Sequence, residues 1–110
     1  MTHLDTTAVH VGREDLTGLG VHVPPIDLST TYPLDSIADG GSAYENLATG
    51  HRPRAGDSLV YQRLWNPNVD RLERSVATLE GCPGAVAFAS GMAAIATLVL
   101  TELSSGDHLV

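Results

Sequence analysis

The chain has 110 residues, 43% of them hydrophobic and 17% charged, with 11 glycines, which fits one globular domain and argues against a disordered tail, a collagen, a coiled coil or a mucin-like stalk. Thirteen acids oppose six bases, and the resulting charge of -7 would repel a polyphosphate backbone, so nucleic acid is not an expected partner. All six bases are arginine, Cys82 stands alone without a disulfide or zinc partner, and no apolar run approaches the roughly eighteen residues that a membrane span needs.

The opening, Met1 to Asp5, has no basic segment followed by an apolar stretch, so a reducing cytoplasm is the expected compartment. From Thr2 to about Leu59 neither helical nor alternating periodicity is sustained. The stretch Thr17–Ser42 is interrupted by Gly18, Gly20, Pro24, Pro25, Pro33, Gly40 and Gly41. Residues 1–60 therefore read as an extended arm with loops. An irregular segment of that length is uncommon inside a compact domain. Its apolar side chains, Val21, Val23, Ile26, Leu28, Tyr32 and Leu34, suit packing against another chain.

At Asn66-Pro67 the pattern changes, because asparagine caps a helix and proline fits its first turn without forfeiting a needed hydrogen bond. Val69, Leu72, Val76 and Leu79 then form one apolar stripe, and Gly81 supplies a C-terminal stop. Ala85–Ala89 has the length and composition of a strand buried on both faces of a parallel sheet. Ser90-Gly91 opens a helix from Met92 to Leu103 that is apolar nearly all round and is expected to lie deep in a core. After the Ser104–Asp107 loop, His108–Val110 reads as the start of another strand. Two strands cannot make the sheet that such elements need, so the chain is expected to be the N-terminal part of a larger α/β protein.

Two local features have chemical potential. Ser90, Gly91 and Met92 stand at a strand-to-helix junction, where free backbone amides attract an anion; read alone, the junction is simply a capped helix. In Tyr61-Gln62-Arg63, extended-chain alternation puts phenol and guanidinium on one side, where a phosphate fits the arginine fork. Read alone, that is a surface arginine lying over an aromatic ring.

Taken in order, Tyr61-x-Arg63-x-x-Asn66-Pro67, a helix, a short strand and Ser90-Gly91-Met92-Ala93-Ala94 resemble the Cys/Met-metabolism enzymes that depend on pyridoxal 5'-phosphate (PLP). This is the group of cystathionine gamma-synthase, cystathionine gamma-lyase, methionine gamma-lyase and the homoserine-ester sulfhydrylases. Thr7-Ala8-Val9-His10-Val11-Gly12, Pro24-Pro25-Ile26 and Ser29-Thr30-Thr31-Tyr32 share the likeness, so it spans nearly the whole chain.

The resemblance implies the PLP-dependent transferase fold of type I, aspartate aminotransferase-like, with a mostly parallel sheet of which only the N-terminal part is present. Residues 61–110 would begin the large PLP-binding domain. It further implies that Ser90, Gly91 and Met92 hold the cofactor phosphate. Tyr61 and Arg63 would reach the phosphate of a neighbouring subunit's cofactor, with Tyr61 also near the amino-acid substrate. A homodimer would then form the active site, with pairing into tetramers. The expected chemistry is elimination or replacement at the gamma or beta carbon of cystathionine, methionine or an O-acyl-homoserine.

With no lysine, the 110 residues cannot supply a Schiff-base amine and are expected to be inactive alone. Trp65, Asn68 and the polar segment from Glu45 to Asp57 depart from the family pattern and bear on substrate identity. Gly18-Leu19-Gly20 lacks the strand and third glycine of a dinucleotide site, and His10, His22 and His51 lack metal-ligand spacing. The competing readings are a non-catalytic oligomerisation module and a phosphate-binding α/β enzyme without PLP.

Overall fold

The computed structural model describes residues 3–54 and 56–110. Among these residues five helices follow one another: α1 (Leu4–His10), α2 (Leu16–Leu19), α3 (Ile37–Ala48), α4 (Pro67–Glu80) and α5 (Gly91–Glu102). Among the described residues, β pairing is confined to an isolated antiparallel bridge between Thr31 and Tyr61.

The two C-terminal helices form where their local signals predict. The Asn66 side chain accepts hydrogen bonds from the Asn68 and Val69 amides, Pro67 occupies the first turn, and Gly81 closes α4 in the left-handed conformation at φ 65°. Ser90 is extended and its hydroxyl accepts from the Ala93 amide, which starts α5 at Gly91, one residue before the predicted Met92.

The N-terminal half differs from the predicted extended arm, since α1, α2 and α3 are helical. In α3 the Ser36 hydroxyl oxygen accepts from the Asp39 amide at 3.1 Å, a cap that starts the helix ahead of its two glycines. Gly40 has a packing reason to be there: a Cβ at that position would lie 2.6 Å from Leu34 Cδ1, so the glycine admits the leucine. The stretch between α2 and α3 remains non-helical, as expected.

Two further expectations are not met within the chain. Residues 85–89 carry no strand pairing, and α5 is uncovered rather than deep, with Met92, Ile95 and Leu98 at 69%, 55% and 63% exposure. A strand needs a neighbour and an apolar helix needs a cover, and neither is supplied by the described residues. Among the described residues, Leu16 and Ala77 are the buried apolar ones, and α1 against α4 is the helix pair that packs.

The accessible surface is 8680 Å², against roughly 5,800 Å² for a compact chain of this mass. The Cα radius of gyration is 16.9 Å, against about 13 Å for a compact domain of this length.

Candidate functional site

The arm is fastened to α4 by polar groups. Asn68 uses both ends of its amide: Oδ1 accepts from the Asp27 amide at 2.7 Å and Nδ2 donates to the Pro25 carbonyl at 2.8 Å. The arm then runs antiparallel to the residues before α4, with the Tyr32 amide donating to the Val60 carbonyl and the Gln62 amide donating to the Thr30 carbonyl. The Thr31–Tyr61 bridge between these bonds fixes the backbone of Tyr61.

From Tyr61 the chain turns, and the Leu64 and Trp65 amides both donate to the Tyr61 carbonyl. The pairing of Tyr61 with Arg63 thus arises from a turn and not from the extended alternation predicted for it. The Arg63 guanidinium carbon lies 5.2 Å from the Tyr61 ring centroid, within cation–π range. Arg63 is exposed and makes no ion pair with the described residues, and its guanidinium lies over a half-buried ring. Beneath this corner, the Tyr32 hydroxyl and the Trp65 indole N–H are buried without a hydrogen-bond partner among the described residues. Burial pushes the Tyr32 phenol above its ordinary pKa, and the Asp27 carboxylate adds to the shift.

The second candidate cluster is the start of α5. Ser90 Oγ is engaged with the Ala93 amide at 3.1 Å, and the Ala94 amide donates to the Ser90 carbonyl. The Gly91 and Met92 amides have no acceptor among the described residues, and Ser90, Gly91 and Met92 are all exposed. A Cβ at Gly91 would meet nothing within 4 Å, so no neighbouring group among the described residues crowds Gly91. Exposed, unpaired N–H groups at the positive end of a twelve-residue helix suit a phosphate.

No hydrogen bond or ion pair among the described residues joins Tyr61 or Arg63 to the Ser90 cluster. A cavity of about 720 Å³ lies between α3 and residues 50–54 and 56–58, and none of these candidate residues lines it.

A network that sequence reasoning missed lies along α4. Asp70, only 8% exposed, receives Arg52 Nη1 on Oδ1 and Arg74 Nε on Oδ2, each at 2.8 Å. Arg52 Nη2 donates to Glu73 Oε2 at 2.9 Å and to the Ala85 carbonyl at 3.2 Å, while Glu73 Oε1 accepts from the Ala87 amide at 2.8 Å. On another face, Arg71 forms a two-pronged pair with Asp15 at 2.7 and 2.8 Å and donates to the Gly12 carbonyl. The hydrogen bond from Arg71 holds the Asp15 carboxyl below its ordinary pKa, and the same bond raises that of the guanidinium. Arginines 18 to 56 residues from their acids leave no signature in a linear pattern.

The minor candidates behave as plain structure. Cys82 is exposed, and its thiol makes only a 3.7 Å contact with the Glu80 carbonyl. His51 pairs through Nδ1 with the Thr49 hydroxyl, and no metal-binding cluster occurs among the described residues. No helix is long and apolar enough to cross a membrane among those residues.

The profile of a family described as Cys/Met metabolism PLP-dependent enzyme matches residues 5–110. The chain is 54% identical over 109 residues to an L-methionine gamma-lyase of Brevibacterium aurantiacum, covering 98% of this chain and 27% of that protein. It is 52% identical to an L-methionine gamma-lyase of Streptomyces avermitilis, covering 97% of this chain and 26% of that protein. To an O-succinylhomoserine sulfhydrylase of Pseudomonas aeruginosa it is 37% identical, over 96% of this chain and 24% of that protein. The chain thus spans about a quarter of the length of the curated relatives it matches.

Proposed function

The chain belongs to the Cys/Met metabolism family of PLP-dependent enzymes, which implies the type I PLP fold, and from that premise we propose that it is the N-terminal portion of an enzyme that breaks or exchanges a bond at the gamma carbon of a sulfur amino acid. Elimination from L-methionine is the leading reaction, because the relatives above half identity are named L-methionine gamma-lyases. The observation that carries the cofactor assignment is the pair of unoccupied amides, Gly91 and Met92, at the exposed start of α5.

In this reading Ser90, Gly91 and Met92 hold the cofactor phosphate. The Gly91 and Met92 amides donate to it, and Ser90, whose oxygen already caps the helix, still has its hydroxyl proton to give. When bound, PLP withdraws electrons from the carbanion that forms on the substrate. Tyr61 and Arg63 would serve the neighbouring subunit's phosphate, with Tyr61 also on the substrate side.

Residues 1–60 would then pack on that neighbour, within a dimer and further a tetramer. Residues 85–89 and 108–110 would enter the mostly parallel sheet of the large domain that begins at Tyr61. A cytoplasmic location is proposed on the same footing. The Schiff-base lysine is assigned to residues outside this chain, which has none.

Three measurements test the reading. Full-length protein given L-methionine should release ammonia and a 2-oxo acid; thioether formation from an acylated homoserine, without that release, would move the assignment to a synthase. Arg63→Ala in the full-length protein should weaken PLP retention by about tenfold or more, the scale of one charge-assisted hydrogen bond; unchanged affinity removes Arg63 from the phosphate site. The 110-residue chain, mixed with PLP and reduced with borohydride, should carry no side-chain pyridoxyl adduct.

A further inference from the structure

Arg52 lies outside the cofactor-binding set and in the segment that departs from the family pattern, yet it is the most heavily engaged arginine near the start of α5. Nη1 donates to Asp70, and Nη2 donates both to Glu73 and to the Ala85 carbonyl. Glu73 spends its other oxygen on the Ala87 amide. In an extended segment the carbonyl of one residue and the amide of the residue two further on face the same edge, as do the groups that a neighbouring strand would bind. Arg52 and Glu73 together bind the Ala85 carbonyl and the Ala87 amide, the two groups that a neighbouring strand would take from one edge of such a segment.

The support behind this edge is firm. Asp70 is buried and held from its other oxygen by Arg74, and the Glu73 side chain is only 13% exposed. Ser90 follows Ala87 by three residues, a span of about 10 Å at full extension. A displacement at Ala85–Ala87 therefore has little chain in which to dissipate before it reaches the Gly91 and Met92 amides.

We infer that Arg52 is a positioning residue: with Glu73 it fixes the backbone of Ala85–Ala87 and so sets the direction in which the amides at the start of α5 point. The inference rests on the assignment of those amides to the cofactor phosphate.

The test uses the full-length protein. Arg52→Met keeps the aliphatic stem and removes every donor. In cofactor-free protein, amide exchange at Ala87 and its neighbours should accelerate at least tenfold, and the dissociation constant for PLP should rise about tenfold. Arg52→Lys, which keeps the charge without the fork, should restore neither fully. Glu73→Gln retains an acceptor for Ala87 but gives up the charged pair, and adding Arg52→Met to it should cost no more than Arg52→Met alone. If Arg52→Met does not fold, Glu73→Ala, which removes the Ala87 acceptor itself, carries the same two readouts.

Unchanged exchange at Ala87 overturns the inference, and so does faster exchange with unchanged PLP affinity. A wild-type protein that takes up no PLP, while Arg52→Met still loosens Ala87, sinks the phosphate assignment and not the hold of Arg52 on residues 85–87.

Discussion

α4 and α5 are neighbours in sequence and opposites in how they are held. Two of the three buried positions at α4 and its cap are polar: Asn66 and Asp70 are 7% and 8% exposed with their hydrogen-bonding groups engaged, beside the apolar Ala77 at 8%. α5 has no buried residue, although it is apolar over most of its circumference. Polar groups thus hold one helix in place, while the apolar face of the other is left uncovered. The contrast separates two tasks. Directional bonds to α4 specify where the arm and residues 85–87 go, whereas the driving force that apolar burial supplies must come from surfaces that cover α5.

The broadest way to break this comparison is to study the 110 residues alone. Without a cover for α5, the segment should show no cooperative denaturant transition and should bind a dye such as ANS. A sharp transition from a monomeric segment would mean that α5 finds its own core. Within the full-length protein α5 should be covered. Ile95→Ala, at a residue 55% exposed here, should then cost about 3 kcal/mol, the scale of a covered core position, as read from the denaturant midpoint. A loss under about 0.5 kcal/mol would show that this face of α5 stays in solvent.

On the α4 side, Asp70→Ala removes the acceptor that two arginines share. Buried pairs broken in this way lose about 3 to 5 kcal/mol, but Arg52 and Arg74 are 46% and 47% exposed and can return to water, so about 2 kcal/mol is expected. A near-neutral result would show that Asp70 follows the arginines and does not organise them.

The same contrast explains what the sequence disclosed. α4 and α5 were legible because their signals are local: Asn66-Pro67, the stripe from Val69 to Leu79, Gly81 and the Ser90 cap each act within one turn. α3 had a local signal as well, Ser36 three residues before Asp39, but the adjacent glycines pointed to a loop, and the contact of Leu34 with Gly40 that reverses that reading is tertiary. α1 makes no side-chain cap and buries nothing, so its sequence carries little helical imprint. The candidate phosphate cradle was readable because helix-terminus chemistry is local. The roles of Arg52 and of Asn68 were not, since their partners lie 18 to 43 residues away. Asn68, a departure from the family pattern, proves to be the clamp that joins Pro25 and Asp27 to α4.

The smallest expected effect concerns the arm's other fastening, the pair of Asp15 with Arg71. The arginine holds the Asp15 carboxyl below the ordinary aspartate value of 3.8, so the folded state favours the ionised form more than the unfolded chain does. Stability from this source is fully present above that value and is lost as pH falls through the lower, folded-state pKa. Asp15 is half exposed, which limits the contribution through solvent screening to under about 1 kcal/mol. Asp15→Asn in the full-length protein should therefore be slightly less stable than the parent at neutral pH, and the gap should close as the solution is taken below about pH 4. A gap that persists in acid would assign the effect to the shape of the Gly12–Asp15 turn, where the Arg71 guanidinium also reaches the Gly12 carbonyl, and would leave the charge of Asp15 without a part in holding the arm.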